Sequence, residues 1–151
     1  YNGSRAREWG WSGVPDALEP IARTRRVGTA APIATYHQAR DFMAYTQGPI
    51  VVCSNVGFER ATRDALGFAA AAGQWMHAMC FVAADDRSPR PGLLCCNSWG
   101  PSWISGPTRH GQPPGSFWVD AATAEQMLRQ GDSFGVSDFR PGDPVIDWMM
   151  Y

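Results

Sequence analysis

The sequence predicts an α+β fold, mainly antiparallel sheet with short flanking helices. Two β-rich runs carry that expectation, Gln74 to Ala84 and Leu93 to Cys96, joined by an Asp/Pro/Gly-rich turn from Asp85 to Gly92. Such a pair reads as a hairpin or meander. A third run, Ile50 to Ser54, is short and nearly all apolar, which suits a strand buried on both faces. Ahead of it, Tyr36, Ala39, Phe42 and Met43 recur at helical spacing.

Each element has a local reason. Residues 1–13 are rich in Gly, Ser, Arg and Trp, and Trp9 and Trp11 are expected to pack on a surface or to touch a ligand. Val14 to Ala22 can form a short helix with Pro15 near its first position and Leu18, Ile21 and Ala22 on one face. Val27 to Ile33 is a short strand interrupted by Pro32. The next helix starts after Thr35, which can cap it while Gln38 reaches back, and Gly48-Pro49 ends it. The stretch 55–73 reads as irregular, punctuated by Gly57, Gly67 and Gly73. Thr123 to Gln130 reads as a helix with Gln126 in a second capping box, and Phe134 to Ser137 as the last strand. Residues from Phe139 to Tyr151, with Pro141 and Pro144, read as a tail.

Composition excludes more than it assigns. At 151 residues and 44% hydrophobic content the chain has the size and character of one globular domain. A net charge of −1 gives no footprint for nucleic acid or for an anionic membrane surface. All the basic residues are arginine, which reads as a compositional bias of the genome. No apolar run approaches the roughly 20 residues needed to span a bilayer. The four cysteines, Cys53, Cys80, Cys95 and Cys96, lie in apolar strand-like runs and lack Cys-x-x-Cys spacing. They read as small buried hydrophobes with no metal site, and a Cys53–Cys80 bridge between neighbouring strands stays open. No cofactor is implied.

The chemistry concentrates at the ends of the predicted hairpin. His77 enters at the start of one strand and Asn97 leaves at the end of the next, so an antiparallel ladder brings them together. A histidine acting as a general base needs a partner that fixes its ring, and an amide oxygen can accept the ring N–H. His37, on the predicted helix, reads as surface, and His110 as a solvated loop histidine.

Asn97-Ser98-Trp99-Gly100-Pro101-Ser102-Trp103 resembles the Asn-Ser-Trp-Gly-x-x-Trp motif of papain-like cysteine proteases, and Met76-His77-Ala78-Met79 is similar to the segment bearing that family's catalytic histidine. Gln47-Gly48-Pro49-Ile50-Val51-Val52 and Gly115-Ser116-Phe117-Trp118-Val119 look like the strands before and after. The resemblance covers roughly residues 45 to 137. It implies the antiparallel, β-barrel-like C-terminal half of a papain fold, organised as a connecting segment 1–34, a β-rich half 35–137 and a tail 138–151. It also implies His77 as the base and Asn97 as its orienting partner. Trp99 would shield their bond, Trp103 would stand on the leaving-group side, and Phe58, Phe68 and Trp75 would shape the cleft or pack beneath their loop.

The sequence departs from that family in three places. Met76 replaces the Asn or Asp common before the histidine, and Trp103-Ile104-Ser105-Gly106 replaces the usual glycine-tyrosine continuation, followed by a Gly/Pro-rich loop. No cysteine of the family's type, opening a helix after an oxyanion glutamine, precedes His77. The upstream thiol, Cys53, sits inside a predicted strand without the helix N-terminus that lowers a thiol pKa.

The expectation is therefore the histidine-and-asparagine half of a peptidase acting on polypeptides, inactive alone. Its nucleophile would come from a missing half on the same longer chain or on a partner chain. The chain opens on Tyr1 rather than Met and shows no signal peptide, which fits an absent upstream segment. A non-catalytic scaffold in a larger assembly and a self-contained hydrolase using Cys53 are the other two readings.

Overall fold

A computed structural model describes residues 14–24, 26–87 and 89–138. The expectations for Trp9, Trp11 and the tail beyond Asp138 lie outside these residues. The chain divides into two units, one of them Thr29–Asp138. The described part of the other holds a 3-10 turn, Asp16–Leu18, continued by α1 (Glu19–Thr24), whose side chains are exposed throughout.

Thr29–Asp138 is built on six strands, all antiparallel: β1 (Thr29–Pro32), β2 (Ile50–Val56), β3 (Gln74–Asp85), β4 (Gly92–Cys96), β5 (Phe117–Asp120) and β6 (Ser133–Ser137). Their order is β1-β6-β2-β3-β4-β5. Helices α2 (Tyr36–Thr46) and α3 (Ala121–Leu128) complete an α+β fold.

Helix α2 buries Tyr36, Ala39 and Met43, one face of a 3.6-residue period. The Thr35 side chain accepts from the Gln38 N–H (3.2 Å), and Gln38 Oε1 reaches back to the Ala34 N–H (2.9 Å), one residue further than a capping box requires. At the other end the left-handed residue is Gln47 (φ 55°), whose N–H bonds the Met43 carbonyl. Gly48 is needed for a different reason: a Cβ there would stand 2.2 Å from the Val136 carbonyl oxygen. Helix α3 starts two residues before the expected Thr123. Asp120 caps it, accepting from the Thr123 N–H at 2.9 Å, and Gln126 is exposed rather than part of a capping box.

One face of the sheet packs against both helices. Ile50 and Val52 of β2, Met79 and Phe81 of β3, Leu93 and Cys95 of β4, and Phe117 and Val119 of β5 form that core with Met127 and Leu128 of α3. At about 25 cal/mol per Å² of apolar surface, fully burying one such side chain is worth about 1.5–3 kcal/mol. On the opposite face the segment between β2 and β3 covers Leu94 and Trp118 with Phe68. Phe58, from the same segment, lies in the main core. Both phenylalanines are about 1% exposed, so they pack beneath their loop and line no cleft. The opposite face beyond Phe68 leaves Val51, Val82 and Phe134 about two-fifths exposed.

Ionic ties hold the connections. Arg90 joins Asp64 (2.6 Å) to Asp120 (3.0 Å) while lying over the Phe68 ring. The 107–114 segment, expected to be exposed, is pinned by Arg109 to the buried Asp85 (2.8 Å) and by Gln112, itself buried, to the Ser116 carbonyl (2.9 Å). His110 is half-exposed and accepts from Arg109 Nε (2.7 Å). Arg63 is buried, and its guanidinium donates to the carbonyls of Gly106 (2.8 Å) and Ser116 (2.7 Å), tying both ends of the loop to one side chain.

Candidate active site

The β2–β3 register sets His77 opposite Ser54 and Met79 opposite Val52. Directly opposed residues share a face and alternate ones reverse it. His77 therefore points to the same side as Met79 and Phe81, but at the start of the strand, where the core gives way to its rim. The β3–β4 ladder ends at Cys80 opposite Cys96. Asn97 is the first residue beyond that rung, which lets its side chain reach diagonally to His77.

The two side chains meet: His77 Nε2 is 2.9 Å from Asn97 Oδ1. The backbone N–H of Ser98 donates to the same oxygen at 2.7 Å. A backbone N–H can only donate, so this contact fixes which end of the amide is oxygen. Nε2 must then carry the proton, and in the neutral ring Nδ1 holds the lone pair. Among the described residues nothing bonds Nδ1. The amide nitrogen Nδ2 of Asn97 is buried without a described partner.

Aromatic rings surround the pair. The Trp99 indole stacks on the His77 imidazole, with centroids 4.8 Å apart and planes 26° apart. Trp99 also meets Trp75 at 4.7 Å and Trp103 at 5.4 Å, edge-on in the second case. Trp103 continues to Phe117, and Trp75 to Phe58, so the cluster is rooted in the main core. Trp75 and Trp103 are half-buried, whereas Trp99 is 49% exposed, the outermost of the three. Trp103 is locked by its indole N–H, which donates to the Gly115 carbonyl at 2.5 Å. Position 115 itself favours glycine, because a Cβ there (φ +80°) would lie 2.5 Å from the Gly100 carbonyl oxygen. The support from Gly115, Phe58 and Phe117 was not evident in the linear motif, which ends at Trp103.

The thiols stand elsewhere. Cys53 is paired with Ala78, so its side chain lies on the face opposite to His77. Burial, followed by the nearby Asp132 carboxylate, pushes its thiol up from the ordinary value. Burial likewise raises Cys80, Cys96 and, most strongly, the fully enclosed Cys95. All four cysteines are free. Cys53 and Cys80 are not opposed, since Cys80 faces Val51, so the bridge left open between them has no register to form in. A cavity of about 370 Å³ adjoins the site, its lining including Cys53, Met76, His77, Ala78, Gln130 and Asp132. No group of three metal-ligating side chains comes together among the described residues.

The arrangement can hold an imidazole in one tautomer, keep its partner hydrogen bond beneath an indole, and offer Nδ1 to an incoming proton. It contains no activated nucleophile among its own thiols. No family model matches the chain. No curated protein matches it either. Among solved structures, it is similar to a digestive procathepsin L2 proteinase from Tenebrio molitor larval midgut, at 17% identity and a TM-score of 0.47. The match covers 75% of this chain and 35% of that one, so the chain spans about a third of that structure's length.

Proposed function

We propose that this chain is the histidine-and-asparagine half of a papain-like cysteine peptidase, with polypeptide as substrate. The nucleophilic cysteine would be supplied by a half outside these 151 residues, on the same longer chain or on a partner. The observation that carries the reading is the His77–Asn97 hydrogen bond, made through Nε2 to an oxygen whose identity Ser98 fixes.

In that role His77 Nδ1 takes the proton of the incoming thiol, giving a thiolate–imidazolium pair. The thiolate attacks the acyl carbon, and the imidazolium returns the proton to the leaving amine. Asn97 keeps the ring in register through both steps, and Trp99 keeps water from competing for the Nε2–H bond. Trp103 would line the leaving-group side, and Trp75 would brace both indoles. With its own thiols raised, and with Cys95, which shares the face of His77, fully enclosed in the core, the isolated chain hydrolyses no peptide.

The test is to express the reading frame that continues upstream of Tyr1 and treat the product with an active-site thiol alkylator. Stoichiometric labelling of a cysteine outside this chain is expected, with hydrolysis of a peptide substrate lost in His77→Ala. Absence of labelling, or activity that survives His77→Ala, would leave a non-catalytic scaffold as the better reading. Turnover by the 151-residue chain alone, lost in Cys53→Ala, would instead favour a self-contained hydrolase.

A further inference from the structure

The outer face of the sheet carries a straight row of side chains that the candidate site does not use. Pro32 faces Phe134, Phe134 faces Val51, Val51 faces Cys80, and Cys80 faces Cys96, one rung running across β1, β6, β2, β3 and β4. Members of one rung point the same way, so the last two are thiols held side by side on adjacent strands. Opposed residues in an antiparallel ladder have Cα atoms about 4.5–5.5 Å apart, inside the range a disulfide spans.

We infer that Cys80 and Cys96 form an oxidisable dithiol, a site at which a small-molecule disulfide closes a cross-strand bond between β3 and β4. This inference stands without the peptidase reading. The other two cysteines are placed out of competition. Cys95 is fully buried on the core face, 3.8 Å from the Met79 sulfur. Cys53 shares the outer face but is diagonal to Cys80, a separation of about 7–8 Å for such neighbours. Both members of the pair are half-buried rather than enclosed, so exchange can reach them. Burial holds both thiols up, which makes the exchange slow at neutral pH and faster as pH rises.

The position of the bond gives it a consequence. Cys80–Cys96 is the terminal rung of the β3–β4 ladder, and beyond it the strands are joined at the site by the His77–Asn97 side-chain contact. Ladder ends open at low cost. A covalent bond at the last rung closes that end and holds the imidazole and the amide together. The step is a double exchange. One thiolate attacks a sulfur of oxidised glutathione and expels a glutathione thiolate. The second then attacks the mixed disulfide and expels the other. Two protein thiols and one glutathione disulfide become one protein disulfide and two glutathione thiols, the two protons passing to the leaving sulfurs.

The experiment treats the folded chain with oxidised glutathione at pH 8, then blocks the remaining thiols and maps peptides by mass. The expected product has lost two of its four thiols and links the peptide holding Cys80 to that holding Cys96. Its Tm should rise by about 5–10 °C, the effect of closing a loop of this length. Exchange of the His77 Nε2 proton with solvent should slow in the same sample. Cys96→Ser should instead trap glutathione on Cys80, and Cys53→Ala should oxidise like the parent. A link through Cys53 or Cys95, a stable mixed disulfide in the unsubstituted chain, or four unmodified thiols would each overturn the proposal.

Discussion

The Trp99 indole lies over the His77 imidazole, ring on ring at 4.8 Å, while the edge of that imidazole is bonded to Asn97. A half-exposed tryptophan on a half-buried histidine spends apolar surface where it protects one hydrogen bond. Removing the ring should therefore act on that bond before it acts on the fold. In Trp99→Ala we expect faster solvent exchange of the His77 Nε2 proton by NMR. The cost in global stability should be modest, of the order of the 0.5–1.5 kcal/mol attributed to an aromatic pair. Unchanged exchange would mean that Trp99 does not shield the bond.

Asn97 should set the tautomer of His77. Nitrogen shifts of the neutral ring should report the proton on Nε2. In Asn97→Leu, which keeps bulk and removes the acceptor, the two tautomers should mix. If the upstream half completes a peptidase, His77→Ala should lower kcat/KM by about 10²–10⁴-fold, the usual worth of a positioned general base. Asn97→Leu should lose less, because it disturbs the base without removing it.

Arg63 is a structural cation with backbone partners. Arg63→Leu leaves the Gly106 carbonyl without its donor and the Ser116 carbonyl with the Gln112 amide alone, at about 1–3 kcal/mol if the first stays buried. Urea unfolding should show that loss, and Arg63→Lys should recover only part of it, since an ammonium cannot reach both carbonyls as a fork does. The same variant should loosen Trp103, whose anchor at Gly115 precedes Ser116 in the chain, and indole fluorescence should shift accordingly.

Acid should destabilise the fold through two neighbouring carboxylates. The Arg87 backbone N–H, with Arg109 adding its charge, holds Asp85 below the ordinary carboxylate value, and the Tyr36 hydroxyl does the same for Asp86. A depressed folded pKa contributes stability that is fully present above the unfolded value, about 3.9. That contribution is lost as pH falls through the lower, folded value. Tm should be flat in this respect from pH 7 to about 5 and decline below about 4. Asp85→Asn should lower Tm at neutral pH and shallow the acid decline.

Much of the local structure was legible in short patterns. Thr35 with Gln38 marked the start of α2, the 85–92 turn marked the hairpin, and the spacing from His77 to Asn97 marked two strand ends that could meet. Each depends on groups a few residues apart, or on one ladder. The boundaries that failed were those where a distant group competed. Asp120 displaced Thr123 as the α3 cap because β5 delivers it at the helix start, and Gln47 took the left-handed position because Gly48 must sit against β6.

What the sequence determined alone was the class of fold, the two strands that matter, and the residue types able to hold an imidazole for base chemistry. The tertiary structure decided which side each of them faces. Register shifts at Ser54/Val56 and Phe81/Ala83 break simple alternation, so sidedness cannot be counted along the chain. Pairing between strands put Cys53 behind the sheet from His77 and set Cys80 against Cys96, while packing of the segment between β2 and β3 sank Phe58 and Phe68. A one-residue slip would undo both of the cysteine placements, because side chains alternate across a sheet and the partner strand fixes the phase.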